Sequence, residues 1–245
     1  MTMFLSNRVG WFVTVGLFTG CFALAPQARA DLIFSGTGTA QDGNAISASV
    51  DFSLTGNIFQ IVLTNTHQTY EQGDVLTNLQ VSTAPAPATA LPSASGVIAL
   101  TAGSSYVGQA PAAGIVLGQE WAYFAGSAGG VASSGFGVGS GDGNLCGATN
   151  ASLCTDPHSK QPLDGADYGL VGPGTTSTGN NGLKYSSNTY INDSITVDIT
   201  LAANSTFTLA DITSVQFRYG TGNNEGEINV DRCTSGSNCS QLGPR

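Results

Sequence analysis

Ala45-Ile46-Ser47-Ala48-Ser49-Val50-Asp51-Phe52-Ser53-Leu54-Thr55, then Gly56-Asn57, then Ile58-Phe59-Gln60-Ile61-Val62-Leu63-Thr64, is the stretch that decides the fold. In its first half every second residue is apolar. Ile46, Ala48, Val50, Phe52 and Leu54 point one way; Ser47, Ser49, Asp51 and Ser53 point the other. A repeat of two belongs to a β-strand with one buried face, because successive side chains of an extended chain lie on opposite sides. Gly56-Asn57 is a tight-turn signal, so Ile58–Thr64 returns as the second strand of a hairpin.

Strand signals continue outward from this hairpin. Val75–Thr83 is a third strand, stopped by Ala84-Pro85-Ala86-Pro87, where proline removes backbone donors. Val97–Thr101, Ser105–Gln109, Ile115–Ala125, Tyr168–Val171, Phe207–Leu209 and Val215–Tyr219 are further candidates. Tyr190–Leu201 alternates as cleanly as the first hairpin, with Ile191, Ile195, Val197, Ile199 and Leu201 inward. Gly126–Asn150, rich in Gly and Ser, reads as a long loop or irregular strands, and Gly172–Gly182 as another loop, rich in Pro, Gly, Thr and Asn. Ala210–Thr213 has room for one helical turn, and no longer span has helical periodicity. About ten to twelve short strands separated by turn signals predict an all-β fold. The expected architecture is an antiparallel β-sandwich or jelly-roll-like single domain over residues 31–230, with long Gly/Ser-rich loops.

Composition narrows the function classes. Only 9% of the 245 residues are charged, seven basic against sixteen acidic, where ordinary domains carry about 25%. Polarity comes instead from 51 Ser and Thr and 16 Asn. Nucleic-acid binding needs clustered Lys and Arg to neutralise phosphates, so no nucleic-acid partner is expected. A charged disordered tail and a helical bundle are excluded by the same numbers.

Residues 1–30 read as a secretory signal. Arg8 is the positive start, Val9–Ala25 is apolar but short for a bilayer span, and Ala28-Arg29-Ala30 offers the small residues that signal peptidase requires. Cleavage leaves Asp31 first and a secreted or surface location, with no membrane association afterwards. An uncleaved anchor is one alternative. A lipoprotein anchored through Cys21 is another, since Thr19-Gly20-Cys21 resembles a lipobox with Phe18 in place of Leu. Arg8 and Arg29 leave with the leader, so the mature net charge is 5 − 16 = −11. Four cysteines remain, Cys146, Cys154, Cys233 and Cys239, an even number that reads as disulfides in an exported chain. Cys146–Cys154 and Cys233–Cys239 are the pairs closest in sequence among three connectivities. Residues 231–245 are expected to form a flexible tail around the second of these.

Few residues offer chemistry. Asp156-Pro157-His158-Ser159 brings together the residue types of a hydrolase triad, but adjacency is not triad geometry and no nucleophile elbow accompanies it. His67 follows a strand and reads as a turn residue. Asp142, Asp164, Asp167 and the run Asn223–Glu227 could supply oxygen ligands to a structural Ca²⁺, though none follows the EF-hand pattern and such residues also favour turns. No other cofactor is expected. Glu120-Trp121-Ala122-Tyr123 places Trp121 and Tyr123 on one strand face beside a carboxylate, the residue types that stack and hydrolyse sugars. Core packing is the competing reading for both rings.

Four stretches carry a family resemblance: Leu63-Thr64-Asn65-Thr66; Gly73-Asp74-Val75-Leu76-Thr77-Asn78-Leu79; Asp164-Gly165-Ala166-Asp167-Tyr168-Gly169-Leu170-Val171; and Ile212-Thr213-Ser214-Val215-Gln216-Phe217-Arg218-Tyr219-Gly220-Thr221. Together they resemble the exosortase-associated, PEP-CTERM type bacterial surface proteins over about residues 31–228. The resemblance implies an exported, β-rich protein of the biofilm or exopolysaccharide matrix, with polysaccharide or other matrix proteins as partners; a non-enzymatic role is expected because no nucleophile–base pair stands out in the sequence. The resemblance transfers no catalytic residue. Members usually end in a Val-Pro-Glu-Pro sorting tag, whereas this chain ends Cys239-Ser240-Gln241-Leu242-Gly243-Pro244-Arg245. That ending implies either release without anchoring or a shortened gene product. A carbohydrate-binding module using Trp121 and Tyr123 is the alternative function, and a secreted hydrolase using Glu120 or His158 a third.

Overall fold

The computed structural model describes residues 30–84, 91, 96–111, 117, 120–125, 128–133, 167–175, 183, 188–220 and 225–232. The leader up to Arg29, including Cys21, lies outside them, as do Cys146, Cys154, Cys233, Cys239, Asp142, Asp164 and His158. The described chain is an all-β sandwich of two sheets. Its strands are β1 (Ala30–Thr39), β2 (Ala45–Thr55), β3 (Ile58–Asn65), β4 (Leu76–Thr83), β5 (Gly96–Leu100), β6 (Ser105–Gly108) and β7 (Ala122–Phe124). They continue as β8 (Ala128–Ala132), β9 (Leu170–Val171), β10 (Thr189–Asn192), β11 (Ser194–Thr200), β12 (Ile212–Tyr219) and β13 (Glu227–Asp231).

One sheet has the order β1-β2-β3-β11-β5. Its inward face is a grid set by register. Leu32, Phe52, Ile61, Val197 and Ile98 form one row across five strands; Phe34, Val50, Leu63, Ile195 and Leu100 form the next. Phe34, Phe52, Phe59 and Phe207 continue this packing as a chain of ring contacts with centroids 4.9 to 6.0 Å apart. The other sheet runs β13-β12-β4-β9-β10-β6, with β8 pairing both β4 and β7. It contributes Leu79, Val81, Val131, Leu170, Ile191, Val215 and Phe217 to the same core. Burial of these side chains, at about 25 cal/mol per Å² of apolar surface removed from water, is the main force holding the sheets together.

Several sequence expectations change. Ile115–Ala125 is not one strand: β7 is confined to Ala122–Phe124, and Trp121 precedes it. Of the two alternatives for Gly126–Asn150, a strand is formed at its start, β8, and residues 134–150 lie outside the described ones. Phe207–Leu209 is not a strand; Leu209–Asp211 forms a 3-10 turn capped by Asp211, whose Oδ2 accepts from the Thr208 N–H at 2.7 Å. Tyr190–Leu201 is two strands in two different sheets, broken at Asp193, whose φ is 84°. β13 extends to Asp231, inside the expected tail. The pairing is mixed rather than wholly antiparallel, because β10 and β9 run parallel. Among the described residues no helix is long and apolar enough to cross a membrane.

Candidate functional site

The loops between β1 and β2, between β3 and β4, and after β9 meet at one end of the sandwich, beside the Asp193 crossover. Asn65, the last residue of β3, is buried at their centre. Its Nδ2 donates to the Leu170 carbonyl at 2.9 Å and the Asp74 carbonyl at 3.2 Å, and its Oδ1 accepts from the His67 N–H at 3.2 Å. Its own N–H donates to the Asp193 carbonyl. One amide side chain thereby ties β3, the loop after it, β9 and the crossover. Thr69, fully buried, accepts from the Gly172 N–H at 3.1 Å and donates its own N–H to the Thr175 hydroxyl at 3.0 Å. Gly172 lies directly against the His67 carbonyl, where a Cβ would collide, so this close approach requires glycine.

Asp74 is the only charged group at the centre of this network that is nearly sealed from water, at 2% exposure. It ends a 3-10 turn, Gln72–Asp74, at the entry to β4. Its Oδ2 accepts from the Tyr70 N–H at 3.0 Å, the Glu71 N–H at 3.2 Å and Asn44 Nδ2 at 3.1 Å. The Asn44 amide also reaches Asp42 at 2.8 Å, which links the β1–β2 loop to the site. Asp74 Oδ1 and the Tyr219 hydroxyl are both buried without a hydrogen-bond partner. Burial pushes the Asp74 carboxyl above its ordinary range, with the Asp42 charge adding to the rise and the three donors opposing it. Burial likewise pushes the Tyr219 phenol up, and the Asp74 charge adds to it.

This network presents one aromatic ring to solvent. Tyr70 is 41% exposed, the only aromatic among the large exposed side chains of the described residues. Its hydroxyl donates to Gln68 Oε1 at 3.2 Å, and Gln68 Nε2 donates to the Gly174 carbonyl at 3.1 Å. The His67 ring lies 6.5 Å away, tilted by 59°.

The residues singled out from sequence lie elsewhere. Trp121 is fully buried in the core, with Nε1 donating to the Tyr168 carbonyl at 2.8 Å, so its ring has no open face for a sugar. Tyr123 is half-buried, and burial pushes its phenol up. Glu120 is buried, and its charge raises the phenols of Tyr106 and Tyr168, whose rings meet edge to face at 6.2 Å. Burial is the larger cause for both, and Tyr168 is pushed up to about 12. Asp167 accepts from the Thr189 N–H at 2.6 Å and anchors the start of β10. Among the described residues no three His, Cys, Asp or Glu side chains are grouped to hold a metal ion.

Sequence reasoning passed over Asp74 and Tyr70 as site residues. The available signal was the pair of stretches around Asn65 and Asp74, which the fold joins to Leu170 and Tyr219 from the other two stretches of the family resemblance. Comparison with protein-family models, with curated proteins and with solved structures returned no match.

Proposed function

We propose that this chain is an exported, non-enzymatic β-sandwich of the cell surface or extracellular matrix, working among polysaccharides and other matrix proteins. The observation that carries this reading is the outer face of the five-stranded sheet. Register lines up Ser35, Ser49, Thr64 and Ser194 in one row, and Asp31, Ser53, Gln60 and Asp198 in another. The outward side chains bond mainly through hydroxyls and amides. Ser47 and Thr66 share a hydrogen bond of 2.7 Å, Thr101 and Thr196 one of 2.9 Å, and Gln60 donates to Asp198 at 2.8 Å. Ile33, Ile58 and Val97 are exposed on the same face, between and beside these rows; its polar groups, largely uncharged, exchange hydrogen bonds with water or sugar hydroxyls at similar energy.

The finer parts of the reading follow from export. Cleavage after Ala30 releases a chain beginning at Asp31, and an oxidising compartment favours disulfides among Cys146, Cys154, Cys233 and Cys239. Expression with the leader in a Gram-negative host, followed by fractionation and intact-mass measurement, tests all of this together. The expected product lies outside the cytoplasm, starts at Asp31 and lacks the four hydrogens that two disulfides remove. Recovery in the cytoplasm with residues 1–30 intact overturns the proposal. A mass increased by lipid at Cys21 would instead assign a membrane-anchored form.

A further inference from the structure

We infer that Tyr70 is the stacking platform of a binding site for neutral sugar rings, at the loop end of the sandwich rather than at Trp121. This rests on the reading of the protein as one that works among polysaccharides, and it specifies where contact is made.

A tyrosine exposed on a loop ordinarily swings freely. Tyr70 is restrained at both ends: its N–H by the buried Asp74 carboxylate, its hydroxyl by Gln68, and Gln68 in turn by Gly174. The loop beneath is fixed by Asn65 and Thr69. Nothing in the core benefits from this arrangement, because the ring packs outside it. A restrained, exposed aromatic loses little entropy on binding, which is what makes Tyr effective at recognition surfaces. The apolar face of a pyranose, carrying aligned C–H groups, matches a single ring of this kind.

The groups around the ring select the ligand's charge. Glu71 and Asp42 are exposed carboxylates on the same junction, and His67 offers an imidazole beside the ring. Carboxylates accept hydrogen bonds from sugar hydroxyls. They repel uronate or sulfated polymers, as does the mature net charge of −11. The class assigned is therefore a neutral hexose polymer.

Native affinity electrophoresis tests it, with barley β-glucan, galactomannan, dextran or alginate cast into the gel. At least one neutral polymer is expected to retard the wild-type protein and alginate to leave it unretarded. Tyr70→Ala is expected to weaken retardation at least about tenfold, as truncating an aromatic anchor does. Tyr70→Phe keeps the ring but loses the hydroxyl tie to Gln68, and is expected to bind more weakly than wild type but more tightly than Tyr70→Ala. Thermal unfolding of Tyr70→Ala should match wild type, because the ring is outside the core. Unchanged retardation in Tyr70→Ala, retardation by alginate alone, or no retardation of wild type in any neutral gel overturns the inference. None of these outcomes moves the protein into the cytoplasm, so fractionation judges the export reading separately.

Discussion

Asp74 keeps a carboxylate inside the protein with one oxygen taking three donors and the other taking none. Its folded-state pKa is raised above 3.8, chiefly by burial, so the folded chain binds this proton more tightly than the unfolded chain does. A carboxyl raised in this way contributes stability at low pH that is lost as the pH climbs from its ordinary value through its folded value. Asp74→Asn keeps an acceptor for the Tyr70 and Glu71 N–H groups and has no charge to lose. The expected outcome is that wild type gains stability relative to Asp74→Asn as pH falls from 7 toward 4, measured by urea unfolding at each pH. A difference that stays flat, or widens in the opposite direction, removes burial as the dominant influence. Asn65→Ala leaves the Leu170 carbonyl without its amide donor, and should cost at least about 2 kcal/mol by the same measurement. Neither role was legible in the sequence. Asn65 and Asp74 lie just outside the strands read from the sequence, and tertiary contacts bury them, Asn65 against Leu170 of β9 and Asp74 against Asn44 of the β1–β2 loop and Tyr219 of β12. Trp121 shows the converse: a lone Trp near a carboxylate suggested sugar stacking, and tertiary packing placed it in the core.

At the level of elements, local pattern showed through wherever one strand face is buried throughout. β2 and β3 match the period-two reading almost residue for residue, because their apolar rows sit against the opposite sheet. The crossover did not show, since alternation continues through Asp193 while the chain passes from one sheet to the other. A positive φ leaves no trace in hydrophobic period, and Asp tolerates it better than most residues. β1 and β13 were also hidden. β1 carries Gly36 and Gly38 where inward apolar side chains would otherwise mark a strand, and the structure supplies the reason. A Cβ on Gly36 would lie 2.5 Å from Ile228 Cγ2 and 2.8 Å from Val230 Cγ2. The glycines let β13 of one sheet lean directly on β1 of the other. Gly36→Val should therefore destabilise the protein by about 1–3 kcal/mol through overpacking. Ile228→Ala should cost less in the Gly36→Val background than alone, because it makes room for the new side chain. Urea unfolding of the four proteins in the double-mutant cycle measures the coupling, and strict additivity would place the clash elsewhere.

For the whole molecule, charge adds a background field to the individual contacts of the carboxylates. Among the described residues thirteen carboxylates accompany two arginines, Arg218 and Arg232. Arg232 directs its Nη1 at the Leu209 and Ile212 carbonyls at 2.8 and 3.2 Å, closing the turn before β12. The polar faces are instead held by hydroxyl and amide hydrogen bonds, which salt barely affects. What salt does affect is the mutual repulsion of a mature chain at −11, which disfavours the compact state. The screening length falls from about 30 Å at 0.01 M to about 8 Å at 0.15 M ionic strength. Over that interval repulsion between loops on opposite ends of the sandwich is removed first. The expected outcome is a melting temperature that rises with sodium chloride between 0.01 and 0.15 M, then levels off. Replacing exposed Glu71 and Asp42 by Gln and Asn should flatten the rise, since both lie in the acidic loop cluster. A melting temperature that falls with salt would show that attractive ion pairs, rather than net repulsion, dominate the electrostatics of this fold.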